Sequence, residues 1–128
     1  MNLTVSTALG HEGIVYLLEL DVQGKRVVKV GITTRKIEDR VCEILTSYFK
    51  IHRYFPYCRP KRYRKTDNIY EKEQKILKHF KEYKYVPEVQ FQGSSELLDV
   101  PLDVVVDIYE KVLKDQDIGD AYENDGIQ

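Results

Sequence analysis

Tryptophan is absent from this 128-residue chain, methionine occurs once, and cysteine occurs only twice, at Cys42 and Cys58. The two cysteines lie sixteen residues apart with no C-x-x-C pair, and His11, His52 and His79 form no close-spaced ligand pair. That spacing argues against a zinc site or a disulfide framework and leaves two reduced structural thiols. Long apolar runs are missing as well. The longest, Ile14–Leu18 and Val104–Val106, fall far short of the ~20 residues a membrane helix needs, so no membrane association is expected. Met1-Asn2-Leu3-Thr4 lacks a basic segment followed by an apolar stretch, so no signal peptide is visible and a cytoplasmic location is expected.

What is present suits one modest core. The length matches a single domain, and 42% hydrophobic with 32% charged residues excludes a low-hydrophobicity disordered chain. The net charge of -1 conceals an uneven distribution. Charges cancel over residues 1–49, whereas residues 50–95 carry twelve Lys or Arg against five acids. Residues 96–128 carry two lysines against ten acids. A basic middle beside an acidic end suggests a polyanion-binding surface with a segment able to shield it.

Ile14–Leu20 and Arg26–Ile32, separated by Asp21-Val22-Gln23-Gly24-Lys25, predict a β-hairpin. Thr33 or Thr34 is positioned to cap a helix in which Ile37, Val41, Ile44, Leu45, Tyr48 and Phe49 recur at helical spacing. Lys50–Tyr57 alternates loosely and predicts a third strand, with Arg59–Asp67 a basic loop after it. Asn68 and Glu71 have capping-box spacing for a second helix reaching about Tyr83. Asp99-Val100-Pro101 opens a third helix with Leu102, Val105, Ile108, Tyr109, Val112 and Leu113 as its apolar residues. The fold class is α+β. Residues 1–12 read as an N-terminal arm, 13–114 as the domain, and 115–128 as an acidic, flexible tail.

Four features carry chemistry. A hairpin closed on Gln23-Gly24 sets Tyr16 opposite Gly31 and Leu18 opposite Lys29, which gathers Tyr16, Lys29 and Gly31 on one sheet face. An ammonium near a phenol favours the phenolate, and the glycine presents no side chain to block an incoming group. The alternative is an ordinary half-buried tyrosine beside a lysine on a wet face. Glu73 falls within the stripe of Ile69, Ile76, Leu77 and Phe80, and an inward carboxylate demands a cation, either a basic side chain or a divalent ion. Arg40, beside the stripe of the first helix, and Arg35, nearer the hairpin exit, each offer a planar fork to a phosphate or to Glu73. Arg59, Lys61, Arg62, Arg64 and Lys65, with Tyr63 among them, combine cations and an aromatic as nucleic-acid contacts do, or form a solvated surface.

The order and spacing of these motifs over residues 13–98 resemble the GIY-YIG endonuclease superfamily, in particular its small phage-type members. Gly13-Ile14-Val15-Tyr16 and Lys29-Val30-Gly31-Ile32-Thr33 resemble the paired strand motifs, with Lys29 where the second name-giving tyrosine usually stands. Arg40 stands near the helical arginine, Glu73-Gln74-Lys75-Ile76 resembles the metal-binding segment, and Phe91–Leu98 resembles a closing motif. The resemblance implies a three-stranded antiparallel sheet flanked by helices, and a DNA endonuclease using Mg²⁺ or Mn²⁺ held by Glu73. It implies Tyr16 as general base assisted by Lys29, and Arg40 as stabiliser of the transition state. Gly31, Thr33, Arg35 and the Arg59–Lys65 cations are the expected substrate contacts. Cutting both strands from so small a domain would ask for a homodimer, of which the sequence carries no signature. If phage-encoded, the protein would act in the bacterial host cell. A catalytically inactive nucleic-acid-binding module of the same fold is the alternative.

Overall fold

Gln23 and Gly24 both adopt positive φ, 49° and 89°, the backbone a tight two-residue hairpin turn requires. The turn joins β1 (Glu12–Val22) to β2 (Lys25–Thr33), and the register pairs Tyr16 with Gly31 and Leu18 with Lys29, as the sequence predicts. The strained conformation at Gln23 is supported by its N–H, which donates to the Tyr48 hydroxyl at 2.9 Å. The chain is seen in a computed structural model that describes residues 12–123. The expected N-terminal arm, apart from Glu12, and the tail beyond Glu123 lie outside the described residues.

Both faces of this hairpin are covered, which is why its strands read as nearly continuous apolar runs. On the Tyr16 face, Leu18, Leu20, Val22 and Val27 pack against Ile37, Ile44 and Tyr48 of α1 (Ile37–His52), together with Phe91 and Leu97. On the other, Val15, Leu17, Val28 and Val30 meet Ile69 and Ile76 of α2 (Ile69–His79) and Phe80 at its C-cap. Val105, Tyr109 and Val112 of α3 (Leu102–Leu113) complete that second core. The Tyr109 hydroxyl donates to the Val15 carbonyl at 2.6 Å and ties α3 to β1.

The α+β class stands, but the sheet has five strands and not three, ordered β3-β1-β2-β5-β4 and antiparallel throughout. The two additions, β4 (Lys84–Tyr85) and β5 (Leu97–Leu98), are only two residues each and leave no alternation to read. The third strand is also misplaced by the sequence reading. Lys50–His52 finishes α1, which ends with Arg53 in the left-handed region and its N–H on the Phe49 carbonyl. The residues expected as a basic loop form β3 (Cys58–Asp67), an edge strand on β1. Its apolar content is low because one side is solvent and the other is covered by ion pairs. Pro60 and a bulge opposite Leu17/Leu18 fit an edge strand, where a missing donor is tolerated.

The helix starts also differ from expectation. Asn68 is left-handed (φ 49°) and makes no side-chain cap, so the Asn68/Glu71 capping box does not form. Neither threonine caps α1. Instead the Thr33 hydroxyl accepts the Arg35 N–H at 3.1 Å, two residues before the helix is entered. The second helix stops at His79 and gives way to a 3₁₀ turn over Lys81–Tyr83. Beyond α3 the chain folds back over α2, where the Tyr122 N–H donates to the His79 carbonyl and its ring packs on Phe80 and Tyr83.

Tyr109→Phe removes only the hydroxyl that joins α3 to β1. We expect it to lower unfolding free energy by about 1–2 kcal/mol in urea titration, with no change in the secondary-structure signal.

Candidate active site

The hairpin register brings Tyr16 over Gly31 so closely that a Cβ there would lie 2.3 Å from the tyrosine Cζ and 2.4 Å from its oxygen. The glycine therefore makes room for the phenol ring itself, and not for an incoming group as the sequence suggests. Tyr16 is 1% exposed. Arg40, on the first turn of α1, reaches across and donates from Nε to the phenol oxygen at 3.2 Å. Burial raises the Tyr16 pKa above its ordinary value, and the Arg40 hydrogen bond and charge oppose that rise without overcoming it.

Arg40 is also bound to Glu43, through Nη1 at 3.1 Å. Arg35 holds the same carboxylate, at 2.7 Å from Nη1 and 2.8 Å from Nη2. Hydrogen bonds from Arg35 and Arg40 hold the Glu43 carboxyl down at about 2. Two guanidinium groups converging on one carboxylate form the arrangement that also accepts phosphate oxygens. Of the two arginines left open by the sequence, Arg40 touches Tyr16, whereas Arg35 lies outside it and more than half exposed.

Lys29 is 1% exposed, and its ammonium lies 5.9 Å from the Tyr16 ring centroid. It does not bond the phenol. Its partner is Glu96, just before β5, with Nζ to Oε1 at 2.7 Å. Burial lowers the Lys29 pKa, with the Glu96 charge resisting. Burial would raise Glu96, but the Lys29 ammonium beside it holds the carboxyl below its ordinary value. The cation at the phenol oxygen is therefore Arg40, a correction to the sequence expectation that Lys29 would draw the proton from Tyr16.

Glu73, the inward acid of α2, is 7% exposed and takes a 3.3 Å hydrogen bond from the Gln74 side chain. No basic side chain forms an ion pair with it among the described residues. Burial raises its pKa, the nearby Glu96 charge raises it further, and Lys29 pulls the other way. Its field also acts on Tyr16. Glu73, Glu96, Lys29, Tyr16 and Arg40 thus form one electrostatic cluster, drawn from α2, the segment before β5, β2, β1 and α1.

Among the described residues no group of three or more His, Cys, Asp or Glu is arranged to hold a metal. The donors that fit a hard divalent cation are Glu73, a buried carboxylate without a cation, and Glu96 near it. A Mg²⁺ ion held by one or two carboxylates and completed by water suits such a sparse set. Cys42 and Cys58 are both free, and burial pushes the Cys58 thiol up to about 11, as befits a structural residue.

The β3 cations fall elsewhere. Arg62 and Arg64, opposite Leu17 and Val15, point to the α3 side and both bind Glu110 at 3.1 Å. Arg59 stacks over Tyr57 and Lys61 faces Glu19 at 3.7 Å. Only Lys65 and Tyr63, opposite Ile14 and Tyr16, share the phenol's face of the sheet. Glu43 and Glu96 were not selected from sequence. Glu96 was findable, because a lysine placed on a buried face by the hairpin register demands a counter-charge. Glu43 carried no such signal.

Residues 13–113 match the family described as the T5orf172 domain, from the second residue of β1 to the last of α3, and the chain belongs to that family. The family is compatible with a nuclease-like or nucleic-acid-binding role. No curated protein and no solved structure matches the chain.

Removing Glu96 strands a buried ammonium. Glu96→Ala should cost about 3–5 kcal/mol in chemical denaturation. The double variant Lys29→Met with Glu96→Leu, which removes both charges, should recover most of that loss.

Proposed function

We propose that this chain is a divalent-metal-dependent DNA endonuclease of GIY-YIG type, hydrolysing phosphodiester bonds. The observation that supports it best is the meeting of a phenol, a guanidinium, an ammonium with its carboxylate partner and an inward carboxylate without an ion pair in one cluster, assembled from five separate segments. A core built for stability alone has no use for Glu73, whose burial raises its energy and whose neighbour is another acid.

In this reading Arg40 meets a phosphate oxygen, with Glu43 as the counter-ion that the phosphate displaces, and stabilises charge gathering on the phosphorus oxygens in the transition state. Tyr16 would act as the phenolate, which the Arg40 N–H stabilises against the burial that raises its pKa, and in that form take the proton of the attacking water to become the neutral phenol. Lys29, fixed by Glu96, adds positive field beside the ring. Glu73, with Glu96 nearby, would hold the metal, which when bound supplies charge stabilisation for the phosphate and the departing 3′ oxygen. Arg35 would share the phosphate with Arg40.

A second reading is a nucleic-acid-binding module of this fold without activity. It is favoured by the burial of Tyr16 beneath Arg40, which leaves the phenol oxygen little direct access. The two readings separate in one comparison of plasmid nicking in Mg²⁺ with gel-shift binding. The first expects both, the second binding alone.

Tyr16→Phe should reduce cleavage by about 10²–10⁴-fold while leaving folding and DNA affinity near wild type. Retained cleavage would remove Tyr16 from the mechanism. Glu73→Gln should also abolish cleavage. Because the folded protein raises the Glu73 pKa, the charged form is disfavoured on folding at neutral pH. The neutral glutamine should therefore melt no lower than the metal-free wild type, which separates loss of the metal site from collapse of the core.

A further inference from the structure

Beside the cluster, a trough of about 400 Å³ runs between the C-terminal half of α2 and the β4–β5 edge. Lys78, Lys81 and Lys84 line it, Leu77 supplies exposed apolar surface, and the buried Leu97 and Leu98 lie beneath its floor. Glu96 and Gln74 line it too, so the trough is continuous with the candidate active site. These lysines come from three different local structures, a helix, a 3₁₀ turn and a strand, yet they line one concavity.

Their charges are not consumed. Arg26, Arg62, Arg64, Lys72 and Lys111 each sit on a carboxylate, but Lys78, Lys81 and Lys84 form no ion pair among the described residues, nor does Lys75 one helical turn before Lys78. All four are exposed. Glu82 is the one acid within the row, and it too is exposed. Four cations this close in sequence repel one another, and no carboxylate forms an ion pair with any of them among the described residues. A polyanion would.

We propose that this lysine-lined trough is the track for the sugar-phosphate backbone of the nucleic-acid strand flanking the cleaved bond. This deepens the function proposed above and rests on it. Phosphate oxygens lie along the Lys78–Lys81–Lys84 wall, while the partly exposed Leu77 faces the sugars. Glu96, anchored by Lys29, marks the end of the track at the active site. The β3 cations, three of the five occupied by Glu110 and Glu19, take a smaller part than their number in the sequence suggests. The acidic segment after α3 borders the track, since Gly119 and Ala121 line a second cavity with Lys75, Lys78 and Lys81.

The test is equilibrium binding of a fluorescein-labelled 20-base-pair duplex to the full chain in EDTA, by anisotropy over a salt series. Two variants with equal charge loss are compared, Lys78→Gln/Lys81→Gln/Lys84→Gln on the track and Arg59→Gln/Lys61→Gln/Lys65→Gln on β3. Thermal melts confirm that each is folded. The track variant should bind at least tenfold more weakly at about 50 mM salt, with a log–log salt slope shallower by roughly one per lysine removed. The β3 variant should change less on both measures. A track variant that loses no more than the β3 variant overturns the track and leaves the nuclease reading intact. A wild-type chain that neither binds the duplex at that salt nor nicks plasmid in Mg²⁺ overturns the function and the track together.

Discussion

The register of the β1–β2 hairpin is the constraint on which the rest depends. Side chains alternate between faces, so a slip of one residue would carry Tyr16 and Lys29 to the α2–α3 side and bring Val15 and Val28 under α1. Two things prevent it. The Gln23-Gly24 turn admits only a two-residue connection, and the Tyr48 hydroxyl grips the turn from α1. The close fit of the Tyr16 ring over Gly31 then locks the pairing midway along the strands, since no other residue type fits beneath the ring. Arg40, Glu96 and Glu73 are arranged around a phenol whose position is already determined.

The charges around that phenol are unevenly satisfied. Lys29 and Glu96 neutralise one another, and Glu43 answers two arginines. Glu73 is left buried with no ion pair among the described residues, the nearby Glu96 charge opposing its ionisation and Lys29 only partly offsetting it. Burial and repulsion act in the same direction on it. Such a group is maintained against the interest of stability, and this is the physical ground for assigning it a ligand.

Much of this was legible in the chain itself. The hairpin register followed from a glycine turn between two β-branched runs, and the inward direction of Glu73 followed from its phase on the helix. The apolar set of α3 was readable for the same reason, because a helix shows its buried face at regular spacing. The third strand was not readable. Its residues, Arg59 to Lys65, lack the alternation of a half-buried strand because salt bridges to Glu110 cover one face in place of apolar contacts. The two-residue strands β4 and β5 are created by tertiary pairing and have no local pattern. Glu43 escaped because an acid near the start of a helix has an ordinary explanation, and only the fold brings Arg35 and Arg40 onto it together.

The hairpin is also a party wall. Val15, Leu17, Val28 and Val30 serve one core while Tyr16, Leu18, Leu20 and Val27 serve the other, on the same two strands. Loosening either helical layer exposes strand backbone that the opposite layer needs intact, so the two halves cannot melt in succession. A sheet shared in this way makes the molecule a single cooperative unit, and damage on the face remote from Tyr16 is transmitted to the Tyr16 face as a change in population of the whole fold.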